Sequence, residues 1–221
     1  MRFRLVYEGE LKANQRDPHD NQPARLSEHK QAIRKVFHRQ LRHLWETNWF
    51  LSTHRVFPQD YGMSRPAADT AARWGASENE MISLTEAVSY KHRENGYCFV
   101  PLVRKDWRLM CSLEILFLRH DPPGSVIHSG DLDNRIKTLI DALRKPDNAT
   151  ELRGNETPAE GEDPFFCLLE DDKLVTGLNV ESDRFLVPPK GNKDIDRRQV
   201  HIVISVDVRP YDVTSFNLSF A

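Results

Sequence analysis

Residues 130–143 read Gly-Asp-Leu-Asp-Asn-Arg-Ile-Lys-Thr-Leu-Ile-Asp-Ala-Leu, and this stretch constrains the chain more than any other. Ile136, Leu139, Ile140 and Leu143 recur at helical spacing, which predicts a helix burying one stripe. Asp133 or Asn134 stands where such a helix takes its N-cap. Alternation places Asp131 and Asp133 on one face of an extended lead-in. Lys137 falls one turn into the helix on the side of Asp133, and Asp141 one turn further. Two carboxylates at a helix mouth with a lysine behind them have the chemistry to hold a divalent cation beside a phosphate. The same acids also serve as ordinary helix-capping groups.

A second acidic cluster lies further along. Phe165-Phe166-Cys167-Leu168-Leu169 is apolar, Glu170-Asp171-Asp172 is acidic, and Leu174-Val175 is apolar again. Such a trio marks a tight solvated turn or points into a site. A hard cation takes several oxygen ligands, and hydrolytic metal sites draw them from separate segments.

Taken in order, Asp131-Leu132-Asp133-Asn134, Lys137, Asp141-Ala142-Leu143 and Asp171-Asp172 resemble the RusA family of Holliday junction resolvases. The resemblance implies a crossover-junction endodeoxyribonuclease of recombination and repair. It implies Mg2+ (Mn2+ as substitute) held by Asp131, Asp133 and Asp172, with Lys137 as the catalytic lysine. Asp141 or Asp171 would orient Lys137 or a metal-bound water. It also implies branched DNA as substrate and a homodimer as the working unit. The chain departs from the family near its start, where Leu11-Lys12-Ala13-Asn14-Gln15 replaces a Pro-Pro-Ser-Asn-Asn-like motif. Two other readings stand beside this one. The same chemistry would serve flaps, replication intermediates or foreign DNA, and the fold would also serve as a non-catalytic binding or regulatory subunit.

Composition limits the setting. At 221 residues with 39% hydrophobic and 29% charged residues, the chain is expected to form one globular domain, 1–221. A formal net charge of −2 means that any DNA contact rests on a local basic surface. No apolar run reaches transmembrane length and Met1-Arg2-Phe3-Arg4 opens no signal peptide, so a cytoplasmic location away from membranes is expected. Cys98, Cys111 and Cys167 show no CxxC spacing and are expected to be reduced core thiols.

In chain order, Arg2–Tyr7 alternates as a half-buried strand and residues 8–26 form a polar loop. A long helix follows, capped by Ser27, with Ile33, Val36, Phe37, Leu41, Leu44, Trp45 and Trp49 (or Asn48) on its buried stripe. Lys30, Arg34, Lys35, Arg39 and Arg42 lie opposite, with His38 and His43, as candidate DNA-backbone contacts. Residues 52–96 read as an insertion (a lid, a dimer arm or a protein-partner surface), with helical stretches at Ala67–Trp74 and around Ser83–Val88. Trp74 and Tyr90 are either core residues or stacking platforms. Tyr97–Val103 and Leu109–Leu118 are expected to form a hairpin, and His120 and His128 flank the acidic motif. Residues 145–164 read as a second, acidic and mobile insertion. Strands are expected at Leu174–Val180 and Val200–Val208, then an apolar tail from Val213 that joins the sheet or a partner. The fold class is α+β, a mixed central sheet of about five strands packed with two main helices.

Overall fold

The computed structural model describes residues 1–12, 23–61, 81–120, 131–187 and 199–221, without the side chains of residues 23–25, Gln59 and Asp131. The described strands are β1 (Arg2–Glu10), β2 (Arg55–Val56), β3 (Ile82–Ser83), β4 (Arg93–Glu94), β5 (Tyr97–Val103), β6 (Leu109–Arg119), β7 (Phe165–Leu169), β8 (Val175–Arg184) and β9 (Gln199–Pro210). The described helices are α1 (Pro23–Thr47), α2 (Trp49–Thr53), α3 (Leu84–Lys91) and α4 (Asp131–Leu143). The architecture is mixed α+β.

The alternating strands build a four-stranded sheet in the order β1-β9-β6-β8. β1 and β6 run antiparallel to β9, and β8 runs parallel to β6. Leu113, Ile115 and Phe117 of β6 and Ile202, Ile204 and Val206 of β9 point to the core, as the two-residue side-chain period requires. The expected single sheet gives way to this sheet and a separate three-stranded one, β4-β5-β7, in which β5 and β7 are parallel.

The expected hairpin of β5 with β6 is therefore corrected. Every residue of β5 is buried, the pattern of a strand covered on both faces, whereas β6 alternates. Between them Arg104 is fully buried and stacks on Trp107, its guanidinium carbon 3.7 Å from the ring centre. Arg108 adopts φ +52°, and the Leu109 N–H returns to the Arg104 carbonyl at 3.2 Å. This tight turn hands the chain from one sheet to the other.

α1 fills the space between the sheets. Ile33, Phe37, Leu41 and Trp45 are buried as the stripe predicts, but the helix begins at Pro23 and leaves Ser27 inside it. Proline suits a first helical turn because it has no N–H to satisfy there. Trp49 is 78% exposed, a correction with a clear cause. α1 ends at Thr47, Asn48 caps α2 by accepting the Leu51 N–H at 3.2 Å, and Leu51 takes the buried position.

Particular residues from both proposed insertions pack into the core. Val56, Ile82, Leu84, Ala87 and Val88 pack into the main cluster, and a capping box of Ser83 with Glu86 starts α3. Ala67–Trp74 and His128 lie outside the described residues. Residues 145–164 are tied to the second cluster at particular points. Leu152 is buried with Tyr97, Phe99, Phe165 and Cys167, and the Tyr97 hydroxyl donates to the Asn155 carbonyl at 2.9 Å. The carboxyl tail folds onto its own chain, where Phe220 packs on Phe50 and Trp107 and Asn217 donates to the Trp107 carbonyl. All three cysteines are free and buried.

Two expectations about stability follow. Arg34 is 1% exposed and its Nη2 meets Glu151 at 2.8 Å, so Glu151→Gln leaves a buried cation without its anion. Urea unfolding is expected to show a loss of about 2–4 kcal/mol, against less than about 0.5 kcal/mol for Glu46→Gln, whose partner Arg42 is solvated. His92 is buried, and burial followed by the nearby Arg104 charge pushes its imidazole down to about 4 from 6.5. The unfolded chain takes up this proton below 6.5 and the folded chain resists until about 4. Stability from His92 is thus complete above 6.5 and falls as the pH drops toward 4. Urea midpoints compared at about pH 7 and about pH 4.5 check this, with His92→Gln showing a shallower decline.

Candidate functional site

α4 brings the first set of candidate residues. Leu132, Ile136, Leu139, Ala142 and Leu143 are buried, so the helix presents the stripe its sequence encodes. It begins at Asp131, however, and neither Asp133 nor Asn134 is its N-cap. The extended lead-in expected before the helix is therefore replaced by helical backbone from position 131 onward. The Asp131 side chain lies outside the described residues. Asp133 and Lys137 are both exposed and sit on one side of α4, four residues apart. No described hydrogen bond or ion pair engages either.

Asp141 is turned to another task. It is buried, its Oδ2 lies 2.5 Å from the Lys30 ammonium, and the Arg144 guanidinium approaches Oδ1 at 3.9 Å. It joins α4 to α1 and is not oriented toward Lys137.

The second acidic segment leaves the fully buried strand β7. The Glu170 N–H donates to the Val103 carbonyl at 2.9 Å, which continues the pairing of β7 with β5. Lys105 holds two of the three acids: its N–H donates to Glu170 Oε2 at 2.8 Å, and its ammonium meets Asp171 Oδ2 at 2.5 Å. Asp171 Oδ1 also accepts the Lys173 N–H at 3.0 Å and caps the short 3-10 turn Asp172–Leu174. The Lys105 hydrogen bond, then the Lys173 N–H, pulls the Asp171 carboxyl down to about 2, with the adjacent Asp172 carboxyl also bonded to it. Asp172 is exposed and no described cation pairs with it. The trio is therefore unequal. Glu170 and Asp171 anchor the turn, and Asp172 is the acid left to the solvent. Lys105 is absent from the sequence reading because nothing in its local pattern marks it; only the parallel pairing of β5 with β7 brings it here.

The two acidic segments approach each other through the far end of α4. Arg144 bridges to Leu169, and the Lys145 N–H donates to the Leu169 carbonyl at 2.9 Å. Asp133 stands about 15 Å up the helix axis from that contact at 1.5 Å per residue. Among the described residues no three His, Cys, Asp or Glu side chains converge to hold a metal.

The basic face of α1 is largely spoken for. Lys30 pairs with Asp141, Lys35 with Glu162 at 3.0 Å, and Arg42 with Glu46 at 2.8 Å. Arg34 points inward, giving hydrogen bonds to Glu151 and to the Asp141 and Arg144 carbonyls. Burial removes it from any DNA surface. Arg39 is exposed and no described carboxylate pairs with it. The groove beside it, about 420 Å³, is lined by Lys35, Arg39 and Arg42 but also by Glu46, Glu160 and Glu162, so its formal charges cancel. His38 lies beneath, accepting the Phe166 N–H on Nδ1 at 2.9 Å with Nε2 3.1 Å from the Gly161 carbonyl. Burial lowers its pKa, and it is a neutral structural link. His120 packs its ring against Phe185, and Tyr90 packs against the core.

No helix among the described residues is long and apolar enough to cross a membrane. No family model, curated protein or solved structure matches the chain.

The anchoring of Asp171 is directly testable. Carboxyl titration by NMR is expected to find Asp171 ionised down to about pH 2, and Lys105→Met to return it toward the usual aspartate range.

Proposed function

We propose that this protein is a Mg2+-dependent, structure-selective DNA endonuclease of RusA-like chemistry, acting in the cytoplasm on branched DNA. The observation that carries the reading is the ordered set Asp131, Asp133, Lys137 and Asp172. Asp133 and Lys137 stand exposed and unengaged on one side of α4, while equivalent groups nearby are consumed by ion pairs. A solvated carboxylate without a protein partner is a hard oxygen donor free to bind a hard cation.

Asp131, Asp133 and Asp172 would hold the metal. Magnesium, when bound, supplies Lewis-acid stabilisation of phosphoryl charge and a water of lowered pKa. Lys137, one helical turn behind Asp133, offers its ammonium to the charge that builds on the phosphate or the departing oxygen. Lys105 holds the Asp171 carboxyl well below the usual carboxylate range and keeps the turn that presents Asp172 in place. Arg39 supplies a cation for the DNA backbone, whereas Lys30 and Arg34 serve the fold.

The decisive experiment compares cleavage of four-way, flap and linear duplex DNA with and without Mg2+. Asp133→Asn, Asp172→Asn and Lys137→Met are each expected to lower cleavage by about a hundredfold or more while leaving the thermal midpoint near that of the parent. Unchanged metal-dependent cleavage in the Asp133→Asn, Asp172→Asn double variant would sink the proposal. DNA binding without cleavage or Mn2+ uptake by the parent chain would favour a non-catalytic binding subunit. Preference for flaps over junctions would keep the chemistry and change the substrate.

A further inference from the structure

A short acidic segment lies across the basic face of α1. The core holds it at both ends: the Tyr97 hydroxyl reaches the Asn155 and Thr157 carbonyls at 2.9 and 3.2 Å on one side, and β7 begins at Phe165 on the other. Between them, Ala159-Glu160-Gly161-Glu162 places no side chain in either apolar cluster. A turn closes the segment, with the Glu162 N–H donating to the Ala159 carbonyl at 3.0 Å and the Ala159 N–H to Glu162 Oε2 at 3.0 Å. Gly161 sits at φ +80°, a backbone conformation that suits glycine, and its carbonyl faces the helix.

Beyond that turn, the hydrogen bonds and ion pairs described for these four residues all go to α1. Glu162 Oε1 meets the Lys35 ammonium at 3.0 Å, and the Gly161 carbonyl lies 3.1 Å from His38 Nε2 and 3.5 Å from Arg42 Nη1. His38 Nδ1 accepts the Phe166 N–H, so Nε2 carries the ring proton and donates. Positions 35, 38 and 42 form one helical stripe, about 10 Å long at 1.5 Å per residue. A carboxylate and a carbonyl oxygen thus occupy donors of the kind a phosphodiester backbone uses. The adjoining groove sets Lys35, Arg39 and Arg42 against Glu46, Glu160 and Glu162, three charges of each sign. Without Glu160 and Glu162 the same groove has three cations and one acid, a formal +2. This segment alone decides the sign of the surface.

We propose that residues 159–162 are an autoinhibitory strap that stands in for a nucleic-acid backbone on α1, and that DNA reaches Lys35, Arg39 and Arg42 by displacing it. This regulation rests on the DNA-binding part of the nuclease reading and adds a threshold to it. Lifting the strap uncovers no apolar cluster and exchanges one partly buried ion pair and two hydrogen bonds for contacts of the same kind. Ion pairs near the surface contribute little, so such an exchange is reversible. A ligand that lays several phosphates along the stripe offsets the exchange, because each phosphate it neutralises releases a counterion. A ligand with a single phosphate does not. The strap therefore weakens casual contact with polyanions and leaves extended DNA able to compete.

The test is the affinity of the full chain for a fluorescent four-way DNA junction, read by anisotropy in EDTA across a salt series. The Glu160→Gln, Glu162→Gln double variant is expected to bind about tenfold tighter than the parent, with a log–log salt slope steeper by about one to two. Adding Lys35→Gln and Arg42→Gln to that variant is expected to cancel the gain. Glu156→Gln with Glu181→Gln removes the same charge at exposed positions outside the groove and is expected to change affinity less than about twofold. Glu160→Gln alone, at an exposed position, is expected to give a smaller gain with the thermal midpoint unchanged, which separates the strap from any loss of folding at Glu162. Unchanged affinity in the strap variants, an equal gain in the charge-matched control, a gain that survives loss of the α1 cations, or no binding by any variant overturns the proposal. Cleavage in Mg2+ is scored separately. Tighter binding without cleavage keeps the strap and removes the nuclease reading, whereas cleavage by the parent with no strap effect does the reverse.

Discussion

The guanidinium of Arg34 is the interaction on which the arrangement of helices depends. It lies inside the protein and joins three segments distant in sequence: its own helix, the end of α4 through the Asp141 and Arg144 carbonyls, and the Ala149–Leu152 turn through Glu151. Glu151 uses its second oxygen on Arg144 at 3.0 Å, so one carboxylate closes the network. A buried arginine is tolerable only when its donors find acceptors and its charge an anion, and here both conditions are met by backbone that must then stay in place. Lys30 with Asp141 and Lys35 with Glu162 extend the same seam along α1. The position of α4, and with it that of Asp133 and Lys137, is set by this seam.

The seam also changes how the charges along the chain are read. Read along the sequence, a basic helix and an acidic segment look like two surfaces with opposed preferences for nucleic acid. Folded, several of these charges neutralise each other, as Lys30 with Asp141, Arg34 with Glu151 and Lys35 with Glu162. Helical periodicity revealed the buried stripe of α1 because burial follows spacing within one element. It was silent on the fate of Arg34, because whether a charged side chain faces solvent depends on what the fold brings opposite. The same limit applies to β5 and β6. Their strand character is local and legible, while their assignment to different sheets depends on Arg104 and the turn at Arg108.

The acidic segments divide along similar lines. The order of Asp131, Asp133, Lys137 and Asp172 is visible in the sequence, and so is the helix that carries three of them. Which of the adjacent acids at the end of β7 remains available is not, since Lys105 reaches them only through parallel pairing. The helix start is a finer case. A shift of two residues in the first helical position decides whether position 131 lies in the helix or ahead of it, and capping residues at 131, 133 and 134 make several starts acceptable on local grounds.

Exposed, unpaired groups are common on any protein and by themselves carry little weight. Their meaning here comes from comparison within one molecule. Each of these features has a close counterpart that is more fully engaged. Asp141 is bound by Lys30 while Asp133, two turns earlier on the same helix, is not. Asp171 is bound by Lys105, while Asp172 beside it bonds only the Asp171 carboxyl and meets no described cation. The edge of β1 is closed by Gln40, whereas among the described residues nothing pairs with the outer side of β8. The chain thus has the means to satisfy such groups and applies them selectively. An exposed carboxylate or strand edge costs little while water solvates it. Leaving it so keeps its binding capacity intact, whereas each intramolecular partner would have to be displaced before a cation, a phosphate or a second strand could take its place.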